Sequence, residues 1–181
     1  MNNVTFSVAG FADDSIVDGP GMRFTIFMQG CTHNCPNCHN PETHPFTRNN
    51  LVSMGTILDK IDDNPIISGV TFSGGDPFAP VHVYGLTVLV PELRKRGLNI
   101  IAYTGYTIEE LIDRSDLYTD LLIHSIDYII DGPFIQSLKS LECLFRGSTN
   151  QRIIRCPKCQ YPRLFPDKLV DKTLEPYKFL C

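Results

Sequence analysis

The sequence predicts an α/β fold, an open and shortened form of the (β/α) barrel with a mainly parallel sheet. Three observations predict it. Apolar, β-branched segments alternate with stretches of helical period, the pattern of a parallel sheet joined by right-handed crossovers. Each such segment ends in a loop rich in Gly, Pro, Asp or Cys, where function gathers in these folds. Four clear strands are too few to close at eight, so one side stays open.

The elements follow in order. Met22–Met28 (MRFTIFM) reads as a strand, and Gly30 hands the chain to a cysteine-bearing loop. Leu51, Met54, Leu58 and Ile61 recur at helical spacing, predicting an amphipathic helix over 51–62. Ile66–Phe72 is a second strand, ending in Ser73-Gly74-Gly75-Asp76-Pro77. Val83, Leu86, Leu89, Val90 and Leu93 form another helical stripe, stopped by Gly97 after a basic last turn, with a kink or fresh start expected at Pro91. Leu98–Tyr103 is a third strand, and Thr107-Ile-Glu-Glu110 has the capping-box pattern that opens a short helix. Ile126–Ile130 is a fourth strand, followed by Asp131-Gly132-Pro133. A fifth is expected from Ile153–Ile154 or from residues 4–8. The loops carrying the cysteines, SGGDP, YTGY and DGPF all follow strands, so all four are expected to face one site.

Composition narrows the function classes. The 181 residues are 43% hydrophobic and 20% charged, ordinary for a soluble globular domain. A net charge of −4 gives no basic field for nucleic acid or anionic membrane. No run approaches the ~18 apolar residues of a membrane span. MNNVTFSVAGFADDS lacks a basic start and an apolar stretch, so a cytoplasmic protein is expected. In that compartment the seven cysteines read as metal or redox chemistry rather than a disulfide framework.

Cys31, Cys35 and Cys38 fall within eight positions with no fourth cysteine nearby. Thiolates select zinc or iron–sulfur clusters over hard ions. Structural zinc takes four ligands, commonly as two separated pairs, and catalytic zinc takes three with an open position. Three thiols on one loop also suit three corners of a [4Fe–4S] cubane, with one iron left for a ligand that is not protein. The glycines after Phe72 permit close backbone approach, and Asp76 offers a carboxylate to an amine. An amino-acid-like ligand held there would chelate the open iron.

The triplet followed by Gly-Gly-Asp-Pro resembles the radical S-adenosylmethionine (SAM) enzymes. More narrowly, SIVDGPGMRFTIFMQGC (15–31), Cys38-His39-Asn40-Pro41 and FSGGDPF (72–78) are similar to the glycyl-radical-enzyme activases. YTGYTIEEL (103–111), IDYIIDGPF (126–134) and RGSTNQRII (146–154) extend the likeness to the activators of anaerobic (class III) ribonucleoside-triphosphate reductase, over about residues 5–155. The resemblance implies an oxidoreductase with a [4Fe–4S] cluster on Cys31, Cys35 and Cys38, the fourth iron binding the amine and carboxylate of SAM. A reductant such as flavodoxin supplies an electron, SAM breaks to methionine and a 5′-deoxyadenosyl radical, and that radical takes a hydrogen from one glycine of the reductase. It further implies SAM contacts from Ser73, Gly74, Gly75 and Asp76, and from His39 beside the cluster. Relatives carry an aromatic residue before the third cysteine where this chain has Asn37. Asp18 and Asp131 fall at the rim of the site by resemblance, Asp131 facing SAM or a cation; Arg146, Ser148 and Asn150 have the chemistry for the SAM carboxylate or ribose. Each of these also has a plain reading as a turn or loop former. A homodimer and a mixed complex with the reductase are both compatible.

Two other functions compete. One is a radical SAM enzyme acting on a small molecule, of the deazapurine-synthase type; the other is a zinc-binding interaction module. His33, His44, His82 and His124 have no metal spacing and read as structural or solvated, and Cys143 as a small buried hydrophobe. Near residue 155 the pattern changes. Residues 1–155 form the expected activase domain, and 156–181 an appended tail in which Cys156-Pro-Lys-Cys159 looks like half of a zinc ribbon, with Cys181 at its end.

Overall fold

A computed structural model describes residues 4–161 and 163–171. Its strands are β1 (Thr5–Ser15), β2 (Arg23–Met28), β3 (Leu51–Ser53), β4 (Gly69–Gly74), β5 (Asn99–Tyr103), β6 (Tyr128–Asp131), β7 (Arg152–Arg155) and β8 (Val170–Asp171). They form one mixed sheet in the order β3-β1-β2-β4-β5-β6-β7-β8. The strands β2, β4, β5 and β6 run parallel, as does β8 to β7. Pairings of β1 with β2 and β3, and of β6 with β7, are antiparallel. Both candidate fifth strands therefore exist, each flanking the parallel centre in the opposite sense.

Four helices, α1 (Met54–Asp62), α2 (Pro80–Lys95), α3 (Ile108–Asp113) and α4 (Leu117–Ser125), complete the main elements. On one sheet face Phe24, Ile26, Val70, Phe72, Ile100 and Ile129 pack with helical residues such as Ile57, Leu86, Leu89 and Leu111 in a single core. Alternation along β2, β4 and β5 sends Arg23, Thr25, Thr71 and Ile101 to the other face. There Ile101, Tyr128, Ile130 and Ile153 meet Phe165. Nearer β2 that face is polar: buried Arg23 donates to Thr71 Oγ1, Asn99 Oδ1 and the Val70 carbonyl.

Three expectations change. The helix over 51–62 begins only at Met54, because Leu51–Ser53 pairs with β1 and Ser53 caps the helix, accepting from Thr56 N at 3.1 Å. Pro91 neither breaks nor restarts α2, which is continuous; Pro91 is exposed, so only one outward backbone bond is forgone. Hydrophobic periodicity does not predict α4, which Asp116 caps by accepting from Thr119 N at 2.8 Å. The box at Thr107–Glu110 forms with both reciprocal bonds.

His82, in the first turn of α2, is buried, with Nε2 3.0 Å from the Gln29 carbonyl. Neutral imidazole donates that bond, and burial lowers the ring's pKa below its ordinary 6.5 against weaker raising effects of Gln29 and Asp76. An unfolded chain then binds a proton that the folded one resists, so stability is full above about pH 6.5 and falls as pH drops below it. The unfolding temperature should be lower at pH 5.5 than at 7.5, and His82→Gln should reduce that difference.

Candidate functional site

The C-terminal ends of β2, β4, β5 and β6 lie along one edge of the sheet, and the loops that leave them are bonded to one another. After β2 the chain turns through Gly30 (φ +118°) into the cysteine loop. Gly30 N donates to Thr43 O at 2.8 Å and Cys31 N to His44 O at 3.0 Å, which pins the start of the loop to its return segment. Asn34 (φ +46°) and Asn37 (φ +55°), each just before a cysteine, take the left-handed conformation that Asn tolerates. These reversals keep Cys31, Cys35 and Cys38 on one short loop, all free and all half-buried. Asn37, exposed and in this turn, stands where the resemblance places an aromatic residue in relatives.

Backbone amides of His33 and Asn34 point at the Cys31 sulfur and draw its pKa down, while burial, the larger effect, pushes it up. Among the described residues no three or more His, Cys, Asp or Glu are gathered as a single-ion site. Free, half-buried thiols with amides aimed at sulfur are a donor set that suits an iron–sulfur cluster.

The glycine loop is tied directly to this one. Gly75 N donates to Met28 O at 2.8 Å and Asp76 N to Gly30 O at 2.9 Å. Gly74 adopts φ +89°, and a Cβ on either glycine would run into the backbone of residues 27–30. Two glycines are needed here because two backbones touch. Ser73 is half-buried and, by alternation, shares a face with Thr71 and Thr25.

Asp76 is fully buried, and its oxygens accept from Phe78 N (2.8 Å), Thr104 Oγ1 (3.0 and 3.1 Å) and Gly105 N (3.0 Å). Its carboxylate, read from the sequence as a receiver for a ligand amine, thus joins the β4 and β5 loops. His33 Nε2 lies 3.0 Å from Asp76 Oδ2 without the alignment of a hydrogen bond. The His33 ring packs edge-on against Tyr106, centroids 4.1 Å apart. Tyr106 shares a hydroxyl hydrogen bond with Thr32 at 2.6 Å and carries Arg114 over its ring at 3.8 Å. A Cβ on Gly105 would collide with the His33 ring. His33 and Tyr106 are the site residues that spacing missed; the one sequence signal is the glycine between the two tyrosines of YTGY, which leaves room for a ring.

The fourth loop joins through Gly132 N to Tyr106 O at 2.9 Å. Asp131, also read as facing a ligand, is buried on the helix side, where it accepts from Ile108 N at 2.8 Å and pairs with Arg152. In RGSTN, Ser148 Oγ accepts from Ile135 N, Asn150 Nδ2 donates to Pro133 O at 2.8 Å, and Arg146 Nη1 donates to Gln151 O at 3.1 Å. The loop is stitched to DGPF, leaving Arg146 Nε and Asn150 Oδ1 buried without a hydrogen-bond partner among the described residues. His39 is exposed. Asp18 lies on the polar sheet face, accepting from Ser15 and Thr25 hydroxyls.

Cys156 and Cys159 sit at the opposite end of the sheet, around Asp127. Cys156 is buried in the helix-side core and Cys159 packs with the Phe165 cluster, so the two thiols serve different faces. Cys181 lies outside the described residues.

Comparison with known proteins adds the following. A family model described as a 4Fe-4S single cluster domain matches residues 17–154. The chain is similar to the anaerobic ribonucleoside-triphosphate reductase-activating proteins of Escherichia coli (strain K12) and Salmonella typhimurium, at 37% identity to each over 145 and 144 residues, covering 75% of this chain and 90% of each relative. Among solved structures, QueE from Escherichia coli aligns over 57% of this chain and 54% of its own, with a TM-score of 0.46 and 18% identity.

Proposed function

This chain belongs to the family of anaerobic ribonucleoside-triphosphate reductase-activating proteins, and from that premise we propose that it is a radical SAM oxidoreductase that installs a glycyl radical on the reductase. The observation that carries the reading is the loop of three half-buried thiols tied, backbone to backbone, to the Gly74-Gly75 turn at the C-terminal edge of parallel strands. Cys31, Cys35 and Cys38 would hold one [4Fe–4S] cluster per chain, and residues 73–75 would lie closest to the SAM bound at its open iron. When bound, such a cluster would supply the single electron for reductive cleavage of SAM, the source of the radical needed to remove a hydrogen atom from a glycine Cα of the reductase. The chain's own part is placement and exclusion of water. Asp76 fixes the glycine loop to Thr104 and Gly105, and His33 with Tyr106 closes the side toward the β5 loop.

In this reading the sheet is the open part-barrel of radical SAM enzymes, residues 1–155 are the activase domain, and 156–181 are a tail whose described part packs on β6 and β7. A cytoplasmic reductant such as flavodoxin delivers the electron. Among the described residues no helix is long and apolar enough to cross a membrane.

The test is EPR of protein reconstituted anaerobically with iron and sulfide and then reduced. A [4Fe–4S]⁺ signal that changes on adding SAM is expected, and Cys31→Ala should abolish it. Mixing with the reductase should then yield a glycyl radical doublet. Protein that takes up zinc, forms no cluster and ignores SAM would overturn the reading.

A further inference from the structure

A cleft of about 780 Å³ opens behind the cysteine loop, at the β3 edge of the sheet. Phe46, Leu51, Val81 and Tyr84 line it and are 50, 45, 67 and 53% exposed, so four large apolar side chains meet water in one place. Isolated exposed apolar residues are ordinary; a contiguous set around a cleft marks an interaction site. Among the described residues no carboxylate lines the cleft, although the chain as a whole carries net charge −4. Its one full cation is Arg48, exposed and without an ion pair among the described residues.

The cleft wall is also the backing of the cysteine loop. Phe46 packs on Gly30, and a Cβ there would strike its ring. Thr43 and His44 accept from Gly30 N and Cys31 N, Gln29 Nε2 donates to Pro45 O at 2.7 Å, and Ser7 Oγ donates to Thr47 O at 2.5 Å. Whatever fills the cleft therefore presses on the segment that holds the cluster loop in place.

We propose that this cleft docks an apolar segment of the reductase that carries a carboxylate, the carboxylate pairing with Arg48 and the apolar side chains covering Val81, Tyr84 and Phe46. The proposal rests on the reading that the substrate is a protein. A backbone glycine must be brought to a site on this chain, and an anchor beside the cysteine loop supplies affinity without occupying the site itself. Arg48, with no acidic group among the described residues that line the cleft, selects the carboxylate-bearing segment over a basic one.

Val81→Asp is the discriminating variant. Val81 is the second residue of α2, where an acidic side chain complements the helix dipole, so the fold is not at risk. Binding of the purified reductase to the reconstituted protein is measured by anaerobic calorimetry. Val81→Asp and Arg48→Glu should each weaken it by about tenfold or more, as for central interface positions, while iron content and SAM cleavage without reductase stay as in wild type. Affinities within twofold of wild type for both variants overturn the proposal and leave the radical chemistry untouched. A change in homodimerisation with unchanged reductase affinity overturns it too, assigning the cleft to a second copy. Wild-type protein that forms a SAM-responsive cluster yet never binds the reductase overturns both this proposal and the assigned substrate.

Discussion

Gly75→Ala should cost the protein both stability and its iron. The added Cβ would lie 2.8 Å from Gly30 C and 2.9 Å from Gly30 N, and nearer still to the Gly30 carbonyl oxygen. All three are backbone atoms of the residue before Cys31, so no side chain can rotate away. The glycine loop must instead separate from the cysteine loop, breaking the bonds from Gly75 N to Met28 O and from Asp76 N to Gly30 O. Overpacking of this kind costs about 1–3 kcal/mol and each lost hydrogen bond about 1. A total near 4 kcal/mol lowers the unfolding temperature by roughly 10 °C in a chain of this size. Because Cys31 moves with Gly30, iron bound per chain after reconstitution should fall well below wild type. Gly10→Ala is the control, since a Cβ there meets nothing within 4 Å and the backbone is not left-handed. Full iron content and an unchanged unfolding temperature in Gly75→Ala would mean that the two loops are not held together as described.

That contact shows what the sequence made legible and what it did not. Strand-then-glycine patterning placed the cysteine, SGGDP, YTGY and DGPF loops at one edge, since parallel strands put their C-terminal ends together. The same patterning could not tell β1 and β7 from parallel strands, because direction depends on the connection rather than on side-chain alternation. The three-residue β3 was hidden by Leu51 and Met54, which fit a helical spacing as well as a strand followed by a cap. Within the site, residue types marked chemistry but not who consumes it. Asp76 has the carboxylate expected of a ligand contact, yet Phe78 N, Thr104 and Gly105 N already engage it. Phe78 N is a local turn partner, but Thr104 and Gly105 lie 28 and 29 positions away and carry no local signature. His33, which reads as structural or solvated, is placed in the site for the same reason: Gly105 and Tyr106 become its neighbours only when β5 lies beside β4.

Asp131 poses the same question at larger energetic stake, and Arg152→Ala answers it. Arg152 Nε donates to Asp131 Oδ1 at 3.0 Å, and its other nitrogens reach Asp131 Oδ2 and, at 2.9 and 2.6 Å, both oxygens of Glu109. The two carboxylates hold the guanidinium firmly charged, and hydrogen bonding to Arg152 pulls the Glu109 pKa below its ordinary value. Asp131 is fully buried, with Ile108 N its other donor in α3. Removing Arg152 strands that carboxylate in the interior, a loss of about 3–5 kcal/mol. Thermal unfolding should show it as a fall on the order of 10 °C. Adding Asp131→Asn to Arg152→Ala removes the stranded charge, so the double variant should be more stable than Arg152→Ala alone. The same double variant separates structure from ligand binding. If Asp131 serves only to join β6, α3 and β7, the reconstituted double variant keeps a SAM-dependent change in its EPR signal. If Asp131 also contacts SAM or a cation beside it, the cluster forms but its response to SAM weakens. Arg152→Ala unfolding at the wild-type temperature would instead show that Asp131 does not depend on its guanidinium.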